Sequence, residues 1–124
     1  MKKQRPVNLD LTTIQMPTTA KASILHRITG VAFFFALVFV IVVWAISLQS
    51  PESFAFAKSL MNGVIGKVIV IGSLAALSYH IIGGLRHLIM DMGYWEELES
   101  GNLSAKIAIA IWLVTVVLAG VWIW

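Results

Sequence analysis

Cysteine is absent from this 124-residue chain. That excludes disulfides, iron–sulfur ligation, thiolate zinc sites and covalent attachment of a c-type haem within it. Charge is scarce as well: Asp, Glu, Lys and Arg make up 12% of the residues, against about 25% in soluble domains. Only Asp10, Glu52, Asp91, Glu96, Glu97 and Glu99 are acidic. The remainder is dominated by apolar residues, 59% of the chain with a mean hydropathy of +0.88, where soluble domains average about 45–50%. A chain this short has too high a surface-to-volume ratio to hide so much apolar surface from water. A soluble globular enzyme is therefore excluded, and so is intrinsic disorder, which requires the opposite bias. The sequence reads as one small all-α integral membrane domain.

Three windows lack any Asp, Glu, Lys or Arg: Ile28–Pro51, Val68–Leu85 and Ile107–Trp124. The shorter two hold 18 residues each, or roughly 27 Å of helix at ~1.5 Å per residue. With flanking residues this crosses a hydrocarbon core of ~30 Å. We therefore expect three transmembrane helices, at about residues 24–50, 66–90 and 104–124, after an N-terminal segment at 1–21. That segment is polar, contains Pro6 and Pro17, and lacks the apolar core of a signal peptide. Thr18 or Thr19 is placed to cap a short helix running into the first span.

A net charge of +3 and a pI near 9.5 would suit a nucleic-acid binder, but the cations are not arranged as a groove-binding patch. Lys2, Lys3, Arg5, Lys21 and Arg27 precede the first window, and Arg86 and Lys106 lie in the second connection. Only Lys58 and Lys67 fall in the first connection. By the positive-inside rule the N-terminus lies in the cytoplasm and Trp124 outside. No nucleic-acid partner is expected; the surrounding medium is the lipid bilayer.

Polar residues in or beside a span are costly and so mark candidate function. One group is Ser23, His26, Arg27 and Gly30 at the cytoplasmic entry of the first helix. At ~100° per residue Ser23, Arg27 and Gly30 share an arc of about 60°, with His26 beside it. A hydroxyl and a guanidinium one turn apart suit a small carbonyl-bearing ligand, with Gly30 leaving it room. The alternative is that Arg27 snorkels to headgroups, Ser23 bonds its own helix and His26 is simply interfacial. The second group lies on the middle helix, where Ser73, Ala76, Gly83, Gly84, His87 and Asp91 project within about 60° of His80. Close helix packing accounts for the small residues. An in-span imidazole among them also suits iron ligation in a flat macrocycle, with Arg86 and His87 near its carboxylates. A proton-relay histidine is the third reading. His80 and His87 are roughly 10.5 Å apart along one helix axis and cannot sandwich one iron. A second axial ligand would be His26 or, since His26 lies near the membrane edge, a residue of another chain.

These stretches resemble a known family, the cytochrome b (C-type) membrane-anchor subunits of succinate dehydrogenase, respiratory complex II. The likeness rests on Arg5-Pro6-Val7, on Ser23-x-x-His26-Arg27-x-Thr29-Gly30, and on His80-x-x-x-Gly84-Leu85-Arg86-His87-Leu88-x-Met90-Asp91-x-Gly93. The run Arg5–Leu11 is similar to the enterobacterial branch. The resemblance implies that His80 is an axial ligand, through iron, to haem b, and that a D-type anchor subunit supplies the other ligand. It implies that Ser23 and Arg27 line the site where ubiquinone is the substrate, and that His26 and Arg27 lie near the haem propionates. Arg86 and His87 are further candidates for propionate contacts, and Asp91 for organising the charged end. Succinate would be oxidised on a flavoprotein subunit and electrons passed through an iron–sulfur subunit to quinone. This chain would then be a subunit outside the catalytic core, in a bacterial inner membrane, with no catalytic residue of its own.

Rival readings are a fumarate reductase anchor, a purely structural anchor without haem, and a small proton-coupled transporter. The transporter normally needs an acidic residue within a span, and all three windows lack one. Trp95, Trp122, Trp124 and Tyr94 read as an aromatic belt, Tyr79 and Trp112 as packing, and Glu96, Glu97 and Glu99 as a solvated turn.

Overall fold

The computed structural model describes residues 7–10 and 12–124. The cations Lys2, Lys3 and Arg5, the Arg5-Pro6 start of the first motif and Leu11 lie outside the described residues. The described residues form four helices: α1 (Thr18–Ser47), α2 (Pro51–Asn62), α3 (Val64–Asp91) and α4 (Leu98–Ile123). There is no strand among the described residues. Helices α1, α3 and α4 are long and apolar enough to cross a membrane. Their 30, 28 and 26 residues correspond to about 45, 42 and 39 Å, longer than a ~30 Å hydrocarbon core. The three pack pairwise, and α2 closes the corner between α1 and α3.

Residues sealed in the bundle are mostly small: Ala22, Gly83, Gly101, Ser104, Ala105 and Ala108 are buried. Between helices in lipid there is little hydrophobic drive to associate, so close backbone approach and interhelical hydrogen bonds hold the bundle. Tyr79, only 1% exposed, donates from its hydroxyl to the Ala22 carbonyl at 3.0 Å. Its ring meets Trp112 edge to face at 5.2 Å, and Trp112 Nε1 donates to the Ala75 carbonyl at 2.8 Å. Two aromatic residues expected to pack thus also tie α1, α3 and α4 by hydrogen bonds.

The helix ends follow from local chemistry. The helix does run into the first span as expected, but Thr18 and Thr19 do not cap it. Pro17 is the N-cap without a side-chain hydrogen bond, and α1 runs unbroken from Thr18. The Thr19 amide is instead satisfied by Asn102 Oδ1 of α4 at 3.0 Å, a tertiary substitute for a local cap. The connection after α1 is itself helical. Ser50 caps α2 by accepting from the Ser53 amide at 3.1 Å, and Pro51 occupies the first turn, where a missing N–H costs nothing. The Glu52 carboxyl is held below the usual range by its own amide and the Ser50 hydroxyl. At the α2–α3 corner a Cβ on Gly66 would overlap the Leu60 carbonyl oxygen, so only glycine allows this approach.

Helix α3 ends in a Schellman arrangement. The Gly93 amide donates to the Met90 carbonyl and the Tyr94 amide to that of Ile89, with Gly93 at φ +87°. Trp95 follows at φ +59°, an uncommon conformation for a bulky residue. Glu97 then precedes α4 as its N-cap and Glu99 sits in the first turn, where a carboxylate complements the helix dipole.

Candidate functional site

The α1–α3 contact brings together three histidines. His26 and His80 stack face to face, with centroids 4.1 Å apart and planes 6° from parallel. His87 meets His26 edge-on at 5.0 Å. The cause is a reciprocal fit of rings and glycines on two antiparallel helices. Gly30, one turn after His26, faces His80: a Cβ there would lie 2.8 Å from His80 Cε1. Gly83 and Gly84, one turn after His80, face His26: their Cβ positions would lie 3.0 Å from its Cδ2 and 3.4 Å from its Nε2. The spaces expected to be left for ligands beside Gly30 and along the Gly83–Gly84 face are therefore filled by imidazoles of the opposite helix. Packing explains these glycines, because each imidazole needs a neighbour without a side chain.

The stack also fixes how each imidazole presents its nitrogens. His80 Nδ1 lies 3.0 Å from the His26 carbonyl oxygen. A carbonyl only accepts, so Nδ1 carries the proton and a neutral His80 keeps its lone pair on Nε2. That is the tautomer a metal-binding imidazole needs, with the other nitrogen fixed by a backbone acceptor. The same His26 carbonyl accepts from Thr29 Oγ1 at 2.9 Å, and Thr29 is buried. His26 Nε2 is buried with no hydrogen-bond partner among the described residues. His26 and His80 are in van der Waals contact through their faces, so in this arrangement they cannot flank one macrocycle.

Ser23 and Arg27 stand one turn apart on α1, the serine half-buried and the arginine exposed. Thr29, Ser47, Ser73 and Ser78 all return their hydroxyls to carbonyls of their own helices. Ser23 makes no such bond among the described residues, and its hydroxyl remains available. Asp91 closes α3 and is exposed.

Arg86 is placed differently from the other candidates. It is 4% exposed, and its Nε donates to Ser104 Oγ at 3.0 Å. One terminal nitrogen donates to Thr19 Oγ1 at 2.6 Å and to the Gly101 carbonyl at 3.0 Å. Those partners belong to α1 and α4, so the guanidinium is committed inside the bundle rather than turned to the histidines. Hydropathy and spacing carry no signal for this, because the acceptors are 15 to 67 residues away in sequence.

Two apolar grooves lie away from the histidine stack. One, of about 370 Å³, runs between α3 and α4 past Leu85, Ile89 and Trp95. The other, of about 720 Å³, lies among α1, α2 and α3 by Val43, Trp44, Phe54 and Leu74.

The profile of a family described as "Succinate dehydrogenase/Fumarate reductase transmembrane subunit" matches residues 1–119. The chain is similar to the succinate dehydrogenase cytochrome b556 subunit of Coxiella burnetii, at 40% identity over the whole of both chains. It is also similar to the cytochrome b556 subunit of Paracoccus denitrificans, at 37% identity across 86% of this chain and 82% of the relative. The cytochrome b560 subunit of Reclinomonas americana is 31% identical across 86% of this chain and 78% of its own. With three apolar helices of membrane-spanning length and this similarity along the full chain, the protein belongs to the family of succinate dehydrogenase and fumarate reductase transmembrane subunits, as a membrane-anchor subunit of succinate:quinone oxidoreductase.

Proposed function

We propose that this chain provides one axial ligand, His80, to haem b and two residues, Ser23 and Arg27, to the site that reduces ubiquinone. The observation that carries the haem assignment is the hydrogen bond from His80 Nδ1 to the His26 carbonyl, which reserves the Nε2 lone pair for iron. The second iron ligand would come from a D-type anchor subunit, since His26 is already packed face to face against His80. His26, whose buried Nε2 has no hydrogen-bond partner among the described residues, would together with His87 and Arg27 lie near the propionates. Haem bound there supplies a one-electron store within the membrane.

At the quinone site the free Ser23 hydroxyl donates to a carbonyl oxygen of the quinone. The Arg27 guanidinium lies one turn further along the same helix. Its charge stabilises negative charge growing on that oxygen as electrons arrive from the iron–sulfur subunit. Succinate oxidation belongs to a flavoprotein subunit, so this chain acts outside the catalytic core. Residues 1–21 lie in the cytoplasm of a bacterium, the spans at about 24–50, 66–90 and 104–124 cross its inner membrane, and Trp124 faces outward. The distribution of cations supports this orientation.

A reduced-minus-oxidised spectrum of the purified complex tests the haem assignment. His80→Ala should abolish or shift the low-spin b-type band, and an unchanged band removes His80 as ligand. Ser23→Ala should raise the quinone KM or lower turnover while leaving the spectrum intact. Full quinone reductase activity would remove Ser23 from the site.

A further inference from the structure

We infer that Arg86 is a positioning residue for the quinone site, acting through Thr19 on the first turns of α1. This rests on the assignment of Ser23 and Arg27 to quinone. Thr19, Ser23 and Arg27 follow one another at single-turn intervals, so they form a stripe that winds from the buried to the exposed side of α1. Thr19 is the fixed end of that stripe. Its hydroxyl accepts from Arg86 at 2.6 Å, and its amide donates to Asn102 Oδ1 at 3.0 Å. The α4 backbone lies close by, since a Cβ on Gly101 would come within 3.0 Å of the Trp95 carbonyl and 3.8 Å of Thr19 Oγ1. Arg86 reaches the Gly101 carbonyl and Ser104 Oγ from the same guanidinium, and Ser104 Oγ in turn donates to that carbonyl at 2.9 Å. Three helices are thereby registered against one rigid planar group.

The choice of residue supports a role in geometry rather than in stability. A buried cation is costly to desolvate, and the acceptors that Arg86 reaches on Ser104, Thr19 and Gly101 are all neutral. Apolar packing would stabilise the bundle at lower cost. What arginine adds is a fixed fork whose donors point to α1 and α4 at once. A lysine ammonium is a single point and cannot span Ser104 and Thr19 together. Arg86 also adjoins His87 in sequence, so the same helical turn of α3 carries the clamp and one member of the histidine stack. A loosened clamp frees the start of α1 to shift, and Ser23 and Arg27 shift with it.

The test uses the intact complex in membranes, with steady-state kinetics against a short-chain ubiquinone. Succinate oxidation by a water-soluble dye serves as a reference for the soluble subunits. We expect Arg86→Lys to raise the quinone KM about tenfold with kcat changed less than about twofold, because a displaced site loses binding geometry. Thr19→Val, which removes the hydroxyl alone, should raise KM about threefold, while Thr19→Ser, which keeps it, should restore the native value. Dye-linked activity should be the same in all four proteins. The inference is overturned if assembled Arg86→Lys and Thr19→Val complexes keep the native quinone KM. It is overturned too if their quinone and dye activities fall together. Should Arg86→Lys fail to assemble, the threonine pair decides, and equal KM values for Thr19→Val and Thr19→Ser refute the clamp. Ser23→Ala run in parallel separates the two layers: an unchanged KM together with unchanged quinone turnover there means that the quinone assignment itself has failed, and this inference with it.

Discussion

The imidazole of His80 is held between Gly30 and the ring of His26: it donates to the His26 carbonyl at 3.0 Å and stacks on the ring at 4.1 Å. One residue thus fixes both the tautomer and the orientation of the candidate iron ligand. The relationship makes helix spacing at this level a determinant of the chemistry. It also makes the glycines testable.

Gly30→Ala places a methyl group 2.8 Å from His80 Cε1, so α1 and α3 must part or the ring must turn. Overpacking of this kind costs about 1–3 kcal/mol. The complex should lose thermal stability, and its b-type absorption should shift. Gly72→Ala is the control, since a Cβ there meets nothing within 4 Å. It should be neutral or stabilising by about 0.5–1 kcal/mol. Thermal unfolding followed at the absorption band reads both.

Gly66→Ala should be far more severe. The new Cβ would overlap backbone, the Leu60 carbonyl, and no side-chain rotation relieves it. The α2–α3 corner must open, so the amount of assembled complex recovered from membranes should fall sharply. Native yield would contradict the close approach at this corner.

Tyr79 and Trp112 should behave as a coupled pair. Tyr79→Phe removes the hydrogen bond to the Ala22 carbonyl, an expected loss of about 0.6 kcal/mol by the average for polar contacts within membranes. Trp112→Phe loses the bond to the Ala75 carbonyl and alters the edge-to-face contact. A double-mutant cycle with Tyr79→Leu and Trp112→Leu, which remove the two rings, should give a coupling of about 0.5–1.5 kcal/mol, the range for aromatic pairs. Strict additivity would show that the ring contact contributes nothing.

The proposed orientation predicts the outcome of reporter fusions. A phosphatase that is active only outside the cytoplasm should be active when joined after Trp124 or inserted at Gly63, and inactive when inserted at Tyr94. The reverse pattern would invert the topology that the cations favour.

Sequence by itself determined the environment and number of the spans. Scarce charge, absent cysteine and three uncharged windows left few options for burying so much apolar surface, and the chain folds with three helices of membrane-crossing length. Sequence spacing also singled out Ser23, His26, Arg27, His80 and His87, because a costly polar residue beside a span is conspicuous even without coordinates. The tertiary structure decided what the glycines are for and what Arg86 does. Gly30, Gly83 and Gly84 admit imidazoles from the facing helix rather than leaving open space, and Arg86 is committed to Thr19, Gly101 and Ser104. The helical phase of one segment places a residue on a face, but it cannot say which atoms the neighbouring helix presents there. The short helix α2 was likewise invisible to hydropathy, since Ser50, Pro51 and Gly66 act through local caps and a backbone contact that carry no apolar period. Composition and periodicity are properties of one segment at a time; the histidine stack and the arginine clamp are properties of pairs and triples of helices, and exist only once those helices meet.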